Sequence, residues 1–144
     1  MSEQNNNISR ASGGDPPFSQ NVLAMYQKIR VMDPMKLTEA LILEYMRQVP
    51  TRIESPEDLN SIGILLGELA NARTYLSGIY SQLQAEARIA KRDKEHKREA
   101  EDMAIRRDAV ETVMDSVKAQ YDACSRMLTA HKIQIDELRM LNSQ

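Results

Sequence analysis

The chain has 144 residues, nineteen basic and twenty-one acidic, for a formal net charge of -2. That length allows at most one ordinary domain, and the near balance of charge gives no general attraction to nucleic acid or acidic membranes. One Phe, five Tyr, no Trp and five Gly, against nine Met, exclude a β-sandwich or an α/β sheet, which need more aromatic, β-branched and turn residues; straight-chain helix formers dominate, and the expected fold class is all-α.

The single Cys124 excludes an internal disulfide and fits a reducing compartment. No N-terminal apolar run suggests a secretory signal, and no stretch approaches membrane-spanning length. The expected location is the cytoplasm, with no membrane partner.

Residues 1–16 read as a disordered tail. The Asn, Ser and Gly of this stretch cannot bury enough apolar surface to offset ordering entropy. The alternative is a short docking peptide anchored by Ile8 and Phe18. Residues 17–50 read as two short helices. In the first, about Ser19 to Met32, Val22, Met25, Ile29 and Met32 share a face with Tyr26 beside them. Asp33-Pro34 ends it and starts the second, Asp as N-cap and Pro at the first helical position. That second helix, Pro34 to about Gln48, is apolar on more than one face, so burial on most sides is expected.

Residues 55–144 read as a long helical hairpin. Ser55-Pro56-Glu57-Asp58 is a strong helix start. A stripe at spacings of three and four follows: Leu59, Ile62, Leu66, Leu69, Arg73, Leu76, Tyr80, Leu83, Ala87 and Ala90, thickened by Leu65, Ala72 and Ile79. Gly63 and Gly67 suggest a close helix approach. A second ladder runs Met114, Val117, Tyr121, Cys124, Leu128, His131, Ile135 and Leu138. Such stripes are the seams of coiled coils. Between Lys91 and Asp108 charge replaces the stripe, and the two ladders are one residue out of phase. The acid-first pairs Asp93–Lys97 and Asp102–Arg106 support helix there, though with little to bury.

Two architectures fit. In the first the chain reverses within 92–108 and the long helices pack as an antiparallel coiled-coil hairpin. In the second a single helix of about 86 residues, ~129 Å long, pairs with another chain. The matched stripe lengths favour the hairpin. Pairing Ala90 with Met114 near its bend sets Cys124 opposite Tyr80.

No catalytic, cofactor or metal motif accompanies the ladders. Cys124 and His131 lie two helical turns apart without a third ligand, so His131 reads as a polar register device in the seam. The scattered carboxylates Glu44, Glu54, Glu57, Asp58 and Glu68 make no acid–base pair. The chain reads as a non-enzyme without a cofactor. Its one candidate contact surface is the basic cluster Arg88, Lys91, Arg92, Lys94, Lys97 and Arg98, net +4 against Asp93 and Glu95, followed by a net -4 from Glu99 to Asp115. The cluster would track nucleic-acid phosphates or would simply be a solvated helix tip. No aromatic interleaves it, so it offers no base-stacking platform.

The runs Glu99-Ala100-Glu101 to Arg106-Arg107, Val117 to Ala123 and Ile133 to Arg139 resemble small helical coiled-coil proteins of tailed bacteriophages that are encoded near replication and recombination genes. The resemblance spans about residues 60–142 and implies a phage setting. Two functions follow as expectations. One is a structural, assembly or protein-interaction module acting through helix–helix contacts. The other is an accessory factor in phage DNA replication or recombination, touching DNA or a DNA enzyme through the basic cluster. Apolar surplus at Leu37, Leu41, Tyr45, Leu65, Leu66 and Leu69 predicts a homo-oligomer.

Overall fold

The structure is a computed structural model, and it describes residues 20–143. The tail assigned to residues 1–16, with its anchors Ile8 and Phe18, lies outside the described residues. Four α-helices and a single 3-10 turn make up the secondary structure of the described residues: α1 Gln20–Val31, α2 Pro34–Tyr45, α3 Pro56–Lys91, the 3-10 turn Lys94–His96, and α4 Lys97–Asn142. The fold is all-helical.

The helix starts follow the sequence signals. The Asp33 side chain accepts from the Met35 N–H at 3.1 Å, with Pro34 at the first turn. At α3 a capping box forms: the Ser55 hydroxyl accepts from Asp58 N–H at 3.3 Å, and the Asp58 carboxylate accepts from Ser55 N–H at 3.1 Å and Glu54 N–H at 3.0 Å. These bonds satisfy amides that a helix start leaves orphaned. The Glu54 amide first, helped by Ser55, lowers the Asp58 pKa.

α3 ends at Lys91 and α4 begins at Lys97, so the long segment is two helices rather than one continuous rod. They pack along one another. The buried residues of α3 are Ile62, Leu65, Leu69, Ala72, Leu76, Ile79, Leu83 and Ala87. Ile62, Leu69, Leu76, Leu83 and Ala87 of the expected stripe are buried. Arg73 is exposed and Leu66 and Tyr80 only half-buried, and at those turns the buried positions are Leu65, Ala72 and Ile79, one residue earlier. On α4 the buried set is Met103, Arg106, Ala109, Val110, Val113, Val117 and Cys124. Met114, Tyr121 and Leu128 flank it, half-buried. The charged segment before Asp108 thus has more to bury than its composition suggests.

Ala87 lies beside Ala100 and Ala104, and Tyr121 lies beside Arg73, Thr74, Ser77 and Gly78. The turn falls at 92–96, and Ala90 lines a recess with Glu99 and Met103 rather than with Met114. Gly63 and Gly67 also depart from expectation. A Cβ at either would meet nothing within 4 Å, so neither serves a close helix approach.

The short helices lie on the long ones: α1 on α3 and α2 on α4. α1 buries Val22, Tyr26 and Ile29; α2 buries Leu37, Leu41 and Tyr45. α2 is covered on that one face only. Met35 and Leu43 are 86% and 78% exposed, contrary to the expectation of burial on most sides. Leu37, Leu41, Tyr45, Leu65 and Leu69 are all buried within one chain, and Leu66 is half-buried. The surplus that pointed to self-association through these six residues is absorbed by the intramolecular core.

Among the described residues one charged side chain sits in that core. Arg106, 6% exposed, donates through Nη1 to the carbonyls of Ile29 and Met32, the latter at 2.6 Å. Its Nε donates to Asp102 Oδ2 at 2.8 Å. The last turn of α1 leaves carbonyls without helical partners, and a guanidinium both satisfies them and suits the negative end of the dipole. Around this clasp, Arg30 pairs with Glu86 at 3.6 Å and lies over the Tyr26 ring at 5.8 Å. The Tyr26 hydroxyl is buried without a partner of good hydrogen-bond geometry. Desolvation first, then the neighbouring Glu86, raises its pKa. At the other end, Arg47 N–H donates to Gln120 Oε1 at 2.8 Å and ties the exit of α2 to α4.

Replacing Arg106 by Met keeps the apolar stem but takes the guanidinium away from the Ile29 and Met32 carbonyls and from Asp102. A loss of roughly 2–4 kcal/mol is expected in denaturant unfolding, with amide exchange in α1 accelerating first. Gly63→Ala and Gly67→Ala should each stabilise by about 0.5–1 kcal/mol, since helical Gly costs that much and the added methyl meets open space; thermal melts of the two variants check this.

Candidate functional site

The turn between α3 and α4 is built without glycine or proline. Arg92 has φ -72° and ψ -20°, and Asp93 φ -108° and ψ 118°, so every step is open to ordinary residues. Asp93 organises it. Its Oδ1 accepts from the Glu95 N–H at 3.0 Å, and Oδ2 lies 2.7 Å from His96 Nδ1. The Glu95 amide first, and then His96, lowers the Asp93 pKa.

Beside this turn is an open groove of about 830 Å³. Its apolar lining is Ala87, Ala100 and Ala104; its cations are Arg88, Lys91, Lys94, Lys97 and Arg107; its carboxylates are Asp93 and Glu101. The structure thus brings together four of the six cations singled out in the sequence. Arg92 and Arg98 are exposed and do not line the groove. Within 4.0 Å, no carboxylate pairs with Arg88, Lys91, Lys94 or Lys97 among the described residues. Asp93 is committed to the turn.

By sequence Arg107 belongs to the net-acidic stretch Glu99 to Asp115, yet it joins the groove. The signal for it is helical spacing. Lys97, Ala100, Ala104 and Arg107 recur at intervals of three, four and three, which puts them on one face. Arg107 also pairs with Asp108 at 2.9 Å.

A second feature lies at the far end of α4. His131 and Gln134 still have the linker residues Thr51, Arg52 and Ile53 beside them. Past His131 the ladder loses cover: Ile135 is half-buried and Leu138 59% exposed, and the neighbouring Ile133, Met140 and Leu141 are 53%, 67% and 68% exposed. His131 therefore meets the linker rather than a facing seam.

Among the described residues no group of three or more His, Cys, Asp or Glu is placed to hold a metal ion, and no helix is long and apolar enough to cross a membrane. Cys124 is fully buried, and desolvation raises its thiol pKa. No family model, curated protein or solved structure matches the chain.

The role of Asp93 can be checked by pH and by substitution. Its folded pKa lies below the unfolded value, so its support of the turn is complete above the ordinary carboxylate range near pH 4 and is lost as pH falls through the folded pKa. Asp93→Ala should speed amide exchange at Glu95 and His96 at neutral pH, whereas Asp93→Asn, which keeps an acceptor oxygen, should change it little.

Proposed function

We propose that α3 and α4 form an antiparallel coiled-coil hairpin, and that the protein is an assembly or interaction module acting through helix–helix contacts. The observation that carries this reading is the uncovered end of the α4 ladder. A single helical end of this length is marginal in water, and apolar residues on it gain by pairing. Residues 135–142 reach about 12 Å past the linker at 1.5 Å per residue.

The partner we assign to this end is a second copy of the chain. Its charge pattern is self-complementary: Lys132 precedes Asp136 and Glu137. Two such ends crossing antiparallel near Gln134 set Lys132 of each level with Asp136 of the other. Self-association is thereby moved from Leu37, Leu41, Tyr45, Leu65, Leu66 and Leu69 to Ile135, Leu138 and Leu141. The resemblance of the C-terminal half to phage helical proteins supplies the setting, a phage-encoded protein in its host's cytoplasm. A second reading, an accessory factor in phage DNA replication or recombination, is favoured by the convergence of four cluster cations in one groove.

Sedimentation at micromolar concentration should give a dimer for the wild type and a monomer with an unchanged melting profile for Ile135→Glu/Leu138→Glu. A wild-type monomer at ~100 μM would overturn the pairing of copies. The hairpin is tested separately through Cys124. Residues equally far from the turn lie level in paired helices of equal rise, which sets Cys124 near residue 64. Mild oxidation of Ile62→Cys or Leu65→Cys should close an internal crosslink that migrates faster on a non-reducing gel.

A further inference from the structure

We infer that the groove beside the turn binds the phosphodiester backbone of nucleic acid and does not read its bases. This deepens the second reading above and is independent of assembly through the α4 end.

The cations are spread along the groove rather than aimed at a point. From Lys97 to Arg107 is ten residues, about 15 Å of helix. Phosphates of one strand recur about every 3.4 Å of duplex axis, so about four of them fall within this length measured along the axis. Arg88 and Lys91 on α3, with Lys94 in the turn, face this row across the alanines. Three Ala side chains add no bulk, so a backbone can approach closely. α4 begins at Lys97, which adds the partial positive charge of a long helix's N-terminal end to the same region. Five cations against Asp93 and Glu101 in the lining, and Asp108 paired with Arg107, leave a local positive field on a chain of net charge -2.

The lining also says what is not recognised. It holds no aromatic side chain, so bases have nothing to stack on. It holds no Asn or Gln, and its Arg and Lys stand beside a recess rather than on an element shaped to enter a major groove. A small polyphosphate would need donors converging on one site, as backbone amides do in phosphate-binding loops. An anionic membrane would be met by cations flanking an apolar anchor, whereas here they surround small alanines.

The test is fluorescence anisotropy on the full chain, with two labelled 25-base-pair duplexes of unrelated sequence. The expected result is similar affinity for both at 50 mM KCl, and a loss of roughly 10²-fold by 200 mM, the fall for about four phosphates. Two variants remove the same number of charges. Lys91→Gln/Lys97→Gln strips the groove, and Arg92→Gln/Arg98→Gln strips its surroundings. All four side chains are exposed, so both variants should melt like the wild type. The groove variant should lose at least 5-fold more affinity than its counterpart. Equal losses in the two variants, no wild-type binding at 50 mM, or binding to phosphatidylserine vesicles but not to DNA would each overturn the assignment. Strong preference for one duplex would overturn backbone-only recognition. Failure of binding would leave a contact to a DNA enzyme standing, and sedimentation reads the assembly question apart from either.

Discussion

The structure depends on one constraint: two long apolar stripes, neither of which is stable exposed, are covered by each other. Ile62, Leu69, Leu76, Ile79 and Leu83 on α3, and Val110, Val113, Val117 and Cys124 on α4, are essentially inaccessible to solvent. Each such side chain contributes about 1.5–3 kcal/mol on burial, and their spacing of three and four fixes which face of each helix turns inward. Every other feature is placed by this pairing. It sets where the turn must lie, which faces are left for α1 and α2, and how far α4 runs on uncovered.

The short helices were legible as helices because Asp33-Pro34 and Ser55-Pro56 are local signals, and both caps form as the chemistry of Asp and Ser requires. Their docking was not legible. It rests on Arg106, which in the sequence stands among thirteen charged residues between Lys91 and Asp108 and looks like surface. The Asp102–Arg106 spacing was visible. What it could not convey is that the guanidinium reaches carbonyls over seventy residues away in sequence. A buried charge is tolerated only when fully hydrogen-bonded, and Ile29, Met32 and Asp102 supply those bonds.

The turn escaped precise placement for a related reason. Gly, Pro and Asn mark turns that need a positive φ or a locked one. This turn uses negative φ throughout and an Asp side chain instead, so it leaves no such mark. Placing it near 102 shifted the expected pairing of Cys124, because each residue of displacement at a bend moves the register by two across the pair. The stripe on α3 shows the same sensitivity on a smaller scale. Leu66, Arg73 and Tyr80 sit one residue from the buried Leu65, Ala72 and Ile79, and at about 100° per residue that difference is the one between edge and core. The basic cluster was legible as composition. Its division into a groove-lining set and an outward pair, Arg92 and Arg98, needed the three-dimensional turn.

The groove and the uncovered ladder lie at opposite ends of α4. From Lys97 to Leu138 is forty-one residues, about 60 Å of helix. Association through one end therefore leaves the other unobstructed, and a pair of copies crossing near Gln134 would hold two grooves more than about 100 Å apart on stiff arms. Two weak backbone contacts on such a frame reinforce each other only if both can engage one polymer at that span. A long duplex is stiff over about 500 Å and can meet both; a short oligonucleotide cannot. With each groove acting as the base-blind contact proposed above, the same geometry would make the paired molecule selective for the length of what it binds.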